Sequence, residues 1–370
     1  MKILVANIGS TSFKYKLFDM ETETELASGR VERIGSDPAF PTHAEAVKFC
    51  LKDLPKVDAI GFKAVHGGRV TGVQVVTDDV LSAMRQMVDI APAHNPPYIA
   101  AMESMRKQLP EVPLVAAFET GFHADIPECN RLYAVPYAWV EKYQIRRFGF
   151  HGASHRYIAT RVAEIFGKPM RIISCHLGGS SSVCAIRDGK SVASSMGGSP
   201  QGGLPQNNRV GDFDPYLLPH LMKQTGKTCE EILAILGSQG GLLGLSGGLA
   251  TDARDLARAA SEGHRLAKLA LDVYVYDIRR YIGADLMELG GADVLVFTGG
   301  IGENRDEIRA AVCQNVQELG IVLDAEKNAQ VRAREACIST PDSRVQVWVI
   351  PTNEEIIVAR QTQTALNAQA

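Results

Sequence analysis

The sequence predicts an α/β protein made of two related halves. Apolar runs with strand character alternate with segments of helical spacing along the chain, which favours sheets covered by helices. Residues 3–19 and 172–189 share one order: an apolar run, an Asn/His-x-Gly element, a hydroxyl-rich loop and a return strand. A chain of 370 residues also exceeds one ordinary core and suggests two domains. We therefore expect an internal duplication.

The two hairpins are candidates for phosphate binding. Gly9 and Gly178 occupy matching positions in loops whose small residues let backbone N–H groups approach an anion. One such hairpin alone is most often an ordinary turn, but two in equivalent contexts favour a shared role. Neither is a Walker loop, because the GKS at 189–191 and the GKT at 226–228 lack the upstream glycine of that motif.

Further strands and helices are predicted from periodicity and chain breakers. Strands are expected at residues 59–65, 112–118, 294–297 and 345–350. Helices are expected at residues 42–51, 78–90, 98–108, 156–166, 214–223, 228–236 and 354–368, with one long amphipathic helix from about residue 252 to residue 283. The prolines of APAHNPP are expected to hold His94 and Asn95 in a fixed loop. A long Gly-, Asn- and Pro-rich loop is expected at residues 194–215.

Composition excludes several classes of protein. The formal net charge of −3 is small and dispersed, which provides no field for holding a nucleic acid. No apolar stretch approaches the roughly twenty residues of a membrane span, and no signal-peptide pattern precedes the first strand. The seven cysteines are scattered and include no CxxC pair, so we interpret them as reduced thiols. We expect a cytoplasmic protein without nucleic-acid or membrane partners.

A series of short stretches follows the order found in one family. They are ANIGSTSFKY, AVHGG, APAHNPP, FETGFHADIP, RRFGFHGASH, HLGGSSSV, SMGGSPQGGL, NRVGDFDP, GGLLGLSG, FTGGIGEN and PTNEE. From about residue 3 to about residue 361 the chain resembles the acetate kinase (acetokinase) family, as a divergent member. The resemblance implies two duplicated actin-like ATPase domains (ribonuclease H-like, ASKHA) around a central cleft. The first would span residues 1–150, completed by a C-terminal helix at 356–370, and the second, carrying the nucleotide and the dimer interface, 151–355.

The resemblance also implies an activity, its cofactor and a set of site residues. Family members use Mg²⁺, with Mn²⁺ as an alternative ion, to transfer a phosphoryl group reversibly between ATP and a short-chain carboxylate, and they form homodimers. The implied catalytic residues are Arg209, His151, Glu119, His94 and His123, and the implied metal residues are Asn7 and Glu354. The implied substrate-binding residues are Lys63, Val65, Ala93, Phe150 and Pro200. The implied nucleotide-binding residues are Lys14, His176, Gly178, Gly179, Ser180, Asp252, Arg254, Gly299, Gly300, Ile301, Gly302 and Asn304.

General chemistry favours the same role for Arg209. Phosphoryl transfer from ATP to a carboxylate brings anions together, so the protein must supply cations and fixed donors rather than a strong base. A planar guanidinium can bridge donor and acceptor oxygens better than an ammonium can.

Several positions depart from the family pattern. The departures are Lys63 for arginine, Glu119 for aspartate, Ser180 for glycine, Ala193 for aspartate, Gly202 for glutamate and Ala93 for leucine. Lys63 loses a bidentate grip on a carboxylate. Ala93 removes part of a pocket wall, which favours propionate or butyrate over acetate unless a neighbour such as Tyr98 fills the space.

Two other functions remain open from the sequence. One keeps the fold but uses a larger acid or another phosphoryl donor, such as pyrophosphate. The other is a non-catalytic, actin-like nucleotide-binding protein. Retention of Asn7, Arg209 and Glu354 argues against the second, because such a protein has no physical need to keep metal and phosphoryl ligands together.

Overall fold

The computed structural model describes residues 1–9, 11–52 and 54–368. The first half contains β1 (Lys2–Ile8), β2 (Ser12–Asp19), β3 (Thr24–Glu32), α1 (His43–Leu51), β4 (Ala59–Ala64), β5 (Val73–Val75), α2 (Asp78–Gln86), α3 (Asn95–Gln108), β6 (Leu114–Phe118), a 3-10 turn (Glu119–His123), α4 (Glu128–Arg131) and α5 (Tyr137–Tyr143). Ser10 of the first family-like stretch, and residues 369–370 of the predicted C-terminal helix, lie outside the described residues.

The second half repeats the alternation of strands and helices. It contains α6 (Gly152–Phe166), β7 (Ile172–Leu177), β8 (Ser181–Arg187), β9 (Lys190–Ser194), α7 (Leu217–Thr225), α8 (Cys229–Ser238), α9 (Gly241–Leu245), α10 (Ala253–Ser261), α11 (Arg265–Leu289), β10 (Val294–Thr298), α12 (Gly299–Asn304), α13 (Asp306–Val312), a 3-10 turn (Gln317–Leu319), α14 (Ala325–Gln330), β11 (Ala336–Cys337), β12 (Gln346–Val349) and α15 (Glu354–Asn367).

The strands of the described residues form two six-stranded sheets with matching topology. The first sheet has the order β3-β2-β1-β4-β6-β5, and the second has β9-β8-β7-β10-β12-β11. In each, the first three strands are antiparallel, the next two continue in parallel, and the outer strand is antiparallel to its neighbour. The same order and directions in both halves confirm the predicted duplicated α/β fold.

Strand periodicity explains how each sheet buries both faces. On β1, Leu4 and Ile8 pack in a core with Met102 of α3, whereas Ile3 and Val5 face α15 on the other side. The second sheet is covered in the same way by α11 on one face and α6 on the other. Each fully buried aliphatic side chain contributes about 1.5–3 kcal/mol to folding.

The C-terminal helix α15 packs on the first sheet, although it follows the second in the chain. An added Cβ at Gly61 of β4 would lie 2.3 Å from Thr362 Oγ1 of α15, so this close contact requires glycine. The division of the chain into domains at residue 150 and at residue 355 stays a prediction.

Two predicted elements are wrong in part. The long helix predicted at residues 252–283 is divided into α10 and α11, because Gly263 adopts φ +89° and the His264 side chain caps α11 by accepting from Ala267 N. Asn95, predicted in a loop, is the first residue of α3, and the proline that follows lies in the first turn, where a missing N–H costs nothing. The Asn95 amide donates to the carbonyls of His66 and Met84, both at 2.8 Å.

Two further features are the oxidation state of the cysteines and the length of the helices. All seven cysteines are free thiols. Among the described residues, no helix combines the length and the apolar character needed to cross a bilayer.

Candidate active site

The structure brings predicted site residues together at one edge of the two sheets. They lie at, or shortly after, the carboxyl ends of the parallel strands β1, β4, β6, β7, β10 and β12, in turn: Asn7, Lys63, Glu119, His176, Gly299 and Glu354. Ligands of open α/β sheets bind outside the carboxyl ends of parallel strands. This edge is therefore the candidate active site.

Lys63 is the centre of a buried charge cluster. Its ammonium donates a hydrogen bond to Glu354 and lies 3.8 Å from Oε1 of Glu119. Burial alone would lower the pKa of Lys63, but Glu354 and Glu119 outweigh it and raise that pKa. For the carboxyl group of Glu354 the effects are reversed. Burial would raise its pKa, but Lys63 and His176 hold that pKa below its ordinary value. The Lys63–Glu354 pair is therefore ionised.

Glu119 is the second carboxylate of this cluster and is held less tightly. It is buried, and neither of its carboxylate oxygens has a hydrogen-bond partner of normal geometry. Burial raises the pKa of Glu119 to about 7, even though Lys63 and the backbone N–H groups of Gly152 and Ala153 act against the rise. A buried carboxylate with free oxygens is unfavourable unless a further cation or donor completes it.

The side chains around this cluster offer oxygen atoms of the kind that Mg²⁺ binds. Asn7 Oδ1 accepts a hydrogen bond of 3.3 Å from Tyr98 Oη, which itself accepts from Ile8 N at 3.1 Å. Amide and carboxylate oxygens are the hard ligands that Mg²⁺ prefers, usually one or two from the protein together with phosphate oxygens. The unpartnered oxygens of Glu119 are the observation that favours an ion here.

Four histidines pack beside the charge cluster: His123, His151, His155 and His176. The rings of His151 and His176 stack with centroids 4.2 Å apart, and Ser182 Oγ lies 2.8 Å from both His151 Nδ1 and His155 Nε2. Burial lowers the pKa of all four, and neighbouring imidazoles add to the effect at His151 and His155. The cluster is therefore neutral near pH 7, so its members act by hydrogen bonding.

His151 occupies a turn with an unusual backbone. Its φ of +56° is uncommon for a residue with a Cβ. At the next residue, Gly152, an added Cβ would lie 2.1 Å from the backbone oxygen of Glu119. The turn thus brings the start of α6 against the segment that carries Glu119, and such outliers are often found at functional sites.

The Tm should fall in mild acid because the folded protein keeps its buried histidines neutral. Burial lowers the pKa of His66, His94 and His123 to about 4, whereas unfolded histidine titrates near about 6.5. Between these values the unfolded chain binds more protons, so each group removes up to about 1.4 kcal/mol of unfolding free energy per pH unit as the pH falls. Glu119 and Asp285, whose pKa burial raises to about 7 and about 8 in the folded protein, offset two such groups. The lowered pKa values of His151, His155 and His176 keep the balance in favour of the unfolded chain. Calorimetry should show Tm falling by several degrees from about pH 7 to about pH 5.

Two variants separate this cause from general acid sensitivity. His123→Gln should make the fall in Tm shallower, because one buried group no longer differs in proton affinity between the two states. His220→Gln should leave the slope unchanged, since His220 is exposed. A Tm independent of pH over this range would contradict the neutral histidine cluster.

Arg209 lies in the loop predicted at residues 194–215, and no carboxylate in the described part of the chain forms an ion pair with it. Its Nη1 donates to the carbonyl of Pro200 at 3.0 Å, and burial lowers its pKa. The positive charges of Arg209 and Lys63 both depress the pKa of His94 and of His151, after the larger effect of burial. The two cations, one from each half of the chain, therefore both lie close enough to these histidines to act on them.

Ser180, a departure from the family pattern, joins the phosphate loop to the loop of Arg209. Its hydroxyl donates to Gln206 Oε1 at 2.7 Å. Gln206 Nε2 then donates at 2.8 Å to the Pro200 carbonyl, which also accepts from Arg209. The hydroxyl that replaces a glycine thus helps to fix the position of the guanidinium.

A cavity of about 340 Å³ lies beside the second phosphate loop. Its lining includes the predicted residues Gly178, Gly179, Asp252, Arg254, Gly300, Ile301 and Asn304, together with Asn207, Ala253 and Arg305. Arg254 and Asp252 form a two-pronged pair at 3.0 and 2.6 Å. Glycine is required at Gly299, where φ is +76° and an added Cβ would lie 2.7 Å from Leu177 O.

The other residues predicted to bind the nucleotide do not line this cavity. Lys14 is exposed on β2, directly across the hairpin from Asn7. His176 belongs to the histidine cluster, and Gly302 lies within α12.

The four residues predicted to hold the acyl group differ in exposure. Phe150 and Pro200 are buried, Val65 is half-buried and Ala93 is exposed. Tyr98 is committed elsewhere, because its hydroxyl bonds to the end of β1.

Sequence reasoning missed several residues that the fold places in the site: Tyr98, Ser182, Asn207, Glu303 and Arg305. Glu303 accepts from Gly299 N at 2.8 Å and from Thr352 N at 3.3 Å, so it ties the α12 loop to the segment before α15. The only signal for Tyr98 is its position shortly after APAHNPP, and the signal for Ser182 is its place in the hydroxyl-rich loop.

Comparison with known proteins identifies the family. The Acetokinase family model matches residues 2–360. The chain is 43% identical to the acetate kinase of Carboxydothermus hydrogenoformans over 394 aligned positions, which cover 98% of each protein. The crystal structure of Porphyromonas gingivalis acetate kinase matches with a TM-score of 0.90 at 38% identity over 99% of both chains. That of a propionate kinase from Francisella tularensis matches with a TM-score of 0.91 at 32% identity, covering 98% of this chain and 99% of the other. With these relatives along its whole length, the chain belongs to the acetokinase family.

Proposed function

We propose that the protein catalyses Mg²⁺-dependent, reversible phosphoryl transfer from ATP to a short-chain carboxylate, giving an acyl phosphate and ADP. Membership of the acetokinase family supports a kinase with a carboxyl group as acceptor. The observation that carries the proposal is that Lys63 and Arg209, one from each half of the chain, both act electrostatically on His94 and His151. Two fixed cations suit a reaction that brings two anions together.

Arg209 and His151 are proposed to act on the transferring phosphoryl group. The guanidinium is held by the Pro200 carbonyl, which leaves other N–H groups for phosphate oxygens. Neutral His151 can be kept as a donor by a relay in which the Ser182 hydroxyl donates to His151 Nδ1 and accepts from His155 Nε2. His151 Nε2 then carries its proton toward the cleft. The acceptor carboxylate is already ionised at neutral pH, so no general base is needed.

Asn7, Glu119 and Glu354 are proposed to hold the metal. Mg²⁺, when bound, supplies positive charge to the phosphate oxygens of the nucleotide. Lys63 keeps Glu354 ionised and is also the proposed contact for the acceptor carboxylate.

A hydroxamate assay tests the proposed reaction directly. The protein is incubated with ATP, Mg²⁺ and hydroxylamine, with acetate, propionate, butyrate or a longer acid as acceptor. Acyl hydroxamate should form with at least one short acid, and the acyl phosphate with ADP should yield ATP. Nucleotide binding without hydroxamate for any acid would overturn the proposal and favour a non-catalytic nucleotide-binding role.

We expect the protein to accept acyl groups longer than acetyl at least as well as acetyl. Ala93 replaces the leucine of the family pattern and is exposed, and the Tyr98 hydroxyl bonds to the end of β1 instead, so the proposed pocket has room for one or two extra methylenes. Each buried methylene contributes about 0.8 kcal/mol, which is a few-fold in kcat/KM. We expect kcat/KM for propionate or butyrate to equal or exceed that for acetate.

Two substitutions localise this preference. Ala93→Leu should reverse the order in favour of acetate, whereas Ala100→Leu, at an exposed position of α3, should not change it. If kcat/KM of the parent protein falls steeply from acetate to butyrate, the enlarged pocket does not exist.

We also propose that the protein forms a homodimer through its second half. Large apolar side chains are exposed there on and beside α7, α8 and α11: Tyr216, Leu217, Met222, Leu233, Leu269 and Tyr276. Exposed apolar surface of this kind commonly marks an association site. Light scattering coupled to gel filtration should give twice the chain mass, and a monomer at all concentrations would contradict the proposal.

A further inference from the structure

A second cavity lies outside the catalytic cleft, in the first half of the protein. Its volume is about 310 Å³. The walls come from the β4–β5 connection, the 3-10 turn after β6, α4 and the segment before α6. Of the lining residues, only His123 belongs to the set implied for catalysis, and none belongs to the set implied for nucleotide binding.

The charge of this cavity is unbalanced. Four of its lining residues are arginines, Arg69, Arg131, Arg146 and Arg147, and none of the lining residues is acidic. Within residues 1–9, 11–52 and 54–368, none of these four guanidiniums forms an ion pair with a carboxylate. Asp125, which follows the lining residue Ala124, pairs with Lys190 at 3.7 Å. Four like charges around one space repel one another unless an anion lies between them.

Two of the guanidiniums carry buried donors without an acceptor. The Nε atoms of Arg131 and Arg146 are inaccessible to solvent and have no hydrogen-bond partner. Arg131 uses Nη1 to hold the Ala124 carbonyl at 3.1 Å, and Arg147 uses Nη1 to hold the Leu132 carbonyl at 2.7 Å. Leaving a buried charged donor unpaired is unfavourable, so each such group in a native structure calls for a missing partner.

The arginines are held on a rigid frame. An antiparallel bridge pairs Leu132 with Arg146, and Arg147 N donates to the Arg131 carbonyl at 2.7 Å. The Arg147 guanidinium also stacks over the Tyr133 ring, with 4.4 Å between Cζ and the ring centroid. Pre-positioned guanidiniums bind an anion without a large loss of side-chain entropy.

We propose that this cavity is a second anion-binding site, for a small anion that carries two or more negative charges on phosphate or carboxylate groups. Guanidinium forks match the planar or tetrahedral oxygens of these groups, and four arginines line the one cavity without an acidic residue among its walls. The hydroxyls of Thr71 and Thr120, 2.9 Å apart in the same wall, can complete the hydrogen bonding.

The site adjoins the turn that carries Glu119. Thr120 and His123 lie on that turn, and the His123 ring joins Ser191 Oγ at 2.9 Å to the Phe150 carbonyl at 2.8 Å. Binding in the cavity is thus separate from binding in the cleft but shares a structural element with it.

Calorimetric titration of the protein with ADP already bound tests the proposal. The full-length protein, saturated with ADP, is titrated separately with inorganic phosphate and with the tricarboxylate tricarballylate. One equivalent of at least one anion should bind, and the stronger of the two shows whether phosphate or carboxylate groups are preferred. Absence of binding by both anions, or binding that ADP abolishes, would overturn the second site.

Arginine variants localise the binding. Arg131→Gln/Arg146→Gln should weaken it by at least about tenfold, because two charge-assisted contacts are lost. Arg69→Gln should also weaken anion binding. Because Arg69 is exposed, this variant tests the site even if the double variant fails to fold. The control Arg85→Gln/Arg106→Gln removes two ion-paired surface arginines of the same half and should leave affinity unchanged. Equal losses in the control, or none in Arg69→Gln and the double variant, would refute the assignment.

Discussion

Arg209→Ala should lower kcat by about 10²–10³-fold while leaving the affinity for ATP largely unchanged. The guanidinium is half-buried, donates to the Pro200 carbonyl and forms no ion pair with a carboxylate of residues 1–9, 11–52 and 54–368. It does not line the cavity beside Gly178 and Gly179, which we propose as the nucleotide cavity. Its contacts should therefore strengthen chiefly as charge spreads over the transferring phosphoryl group, which affects kcat rather than ground-state binding.

Three comparisons sharpen this result. Arg254→Ala is the matched control, because Arg254 lines the nucleotide cavity and should affect KM for ATP more than kcat. Arg209→Lys should recover only part of the rate, since an ammonium keeps the charge but not the planar fork. Added guanidinium should partly restore turnover of Arg209→Ala. A kcat for Arg209→Ala near that of the parent would remove Arg209 from the reaction.

The sequence predicts the duplicated architecture well because both halves carry strong local signals. The central strands are continuous apolar runs, buried on both faces, which periodicity detects without further information. β3 is different: it lies at a sheet edge, buries only Val31 and consists mostly of small or charged residues, so no strand was predicted there. The break at Gly263 was also missed, because the apolar stripe continues on both sides of it.

The site could be predicted only as a set of positions, not as an arrangement. Family-like motifs placed Lys63 near a substrate carboxylate, but its actual partners, Glu354 and Glu119, lie far away in sequence. The same is true of Ser182, whose two histidine contacts depend on how α6 packs against β8. Contacts between distant segments are set by tertiary packing, which no local pattern encodes.

Removal of Glu354 should raise the Mg²⁺ requirement much more than the KM for the carboxylate. Glu354 is one of only three oxygen-bearing side chains proposed for the metal, with Asn7 and Glu119, and Mg²⁺ takes few protein ligands. We expect the half-saturating Mg²⁺ concentration of Glu354→Ala to rise by at least about tenfold at fixed ATP, which corresponds to about 1.4 kcal/mol. Titration of activity against free Mg²⁺ measures the change, and Mn²⁺ should restore part of it.

The substitution has a second effect that must be separated from the first. Glu354 is also the hydrogen-bonded partner of the buried Lys63, so Glu354→Ala leaves an ammonium with only Glu119, 3.8 Å away. Breaking a buried pair typically destabilises a protein by about 3–5 kcal/mol. The double variant Lys63→Met/Glu354→Gln removes both charges and should recover much of the lost Tm.

Metal affinity should not recover with stability in that double variant, because the carboxylate is still missing. Direct Mg²⁺ or Mn²⁺ binding in the presence of ADP therefore distinguishes a ligand from a structural counter-ion, and Lys63→Met alone shows what the ammonium contributes. If the double variant regains both the Tm and the metal affinity of the parent, Glu354 serves only to neutralise Lys63. If it regains Tm alone, Glu354 holds the ion and Lys63 keeps it ionised for that purpose.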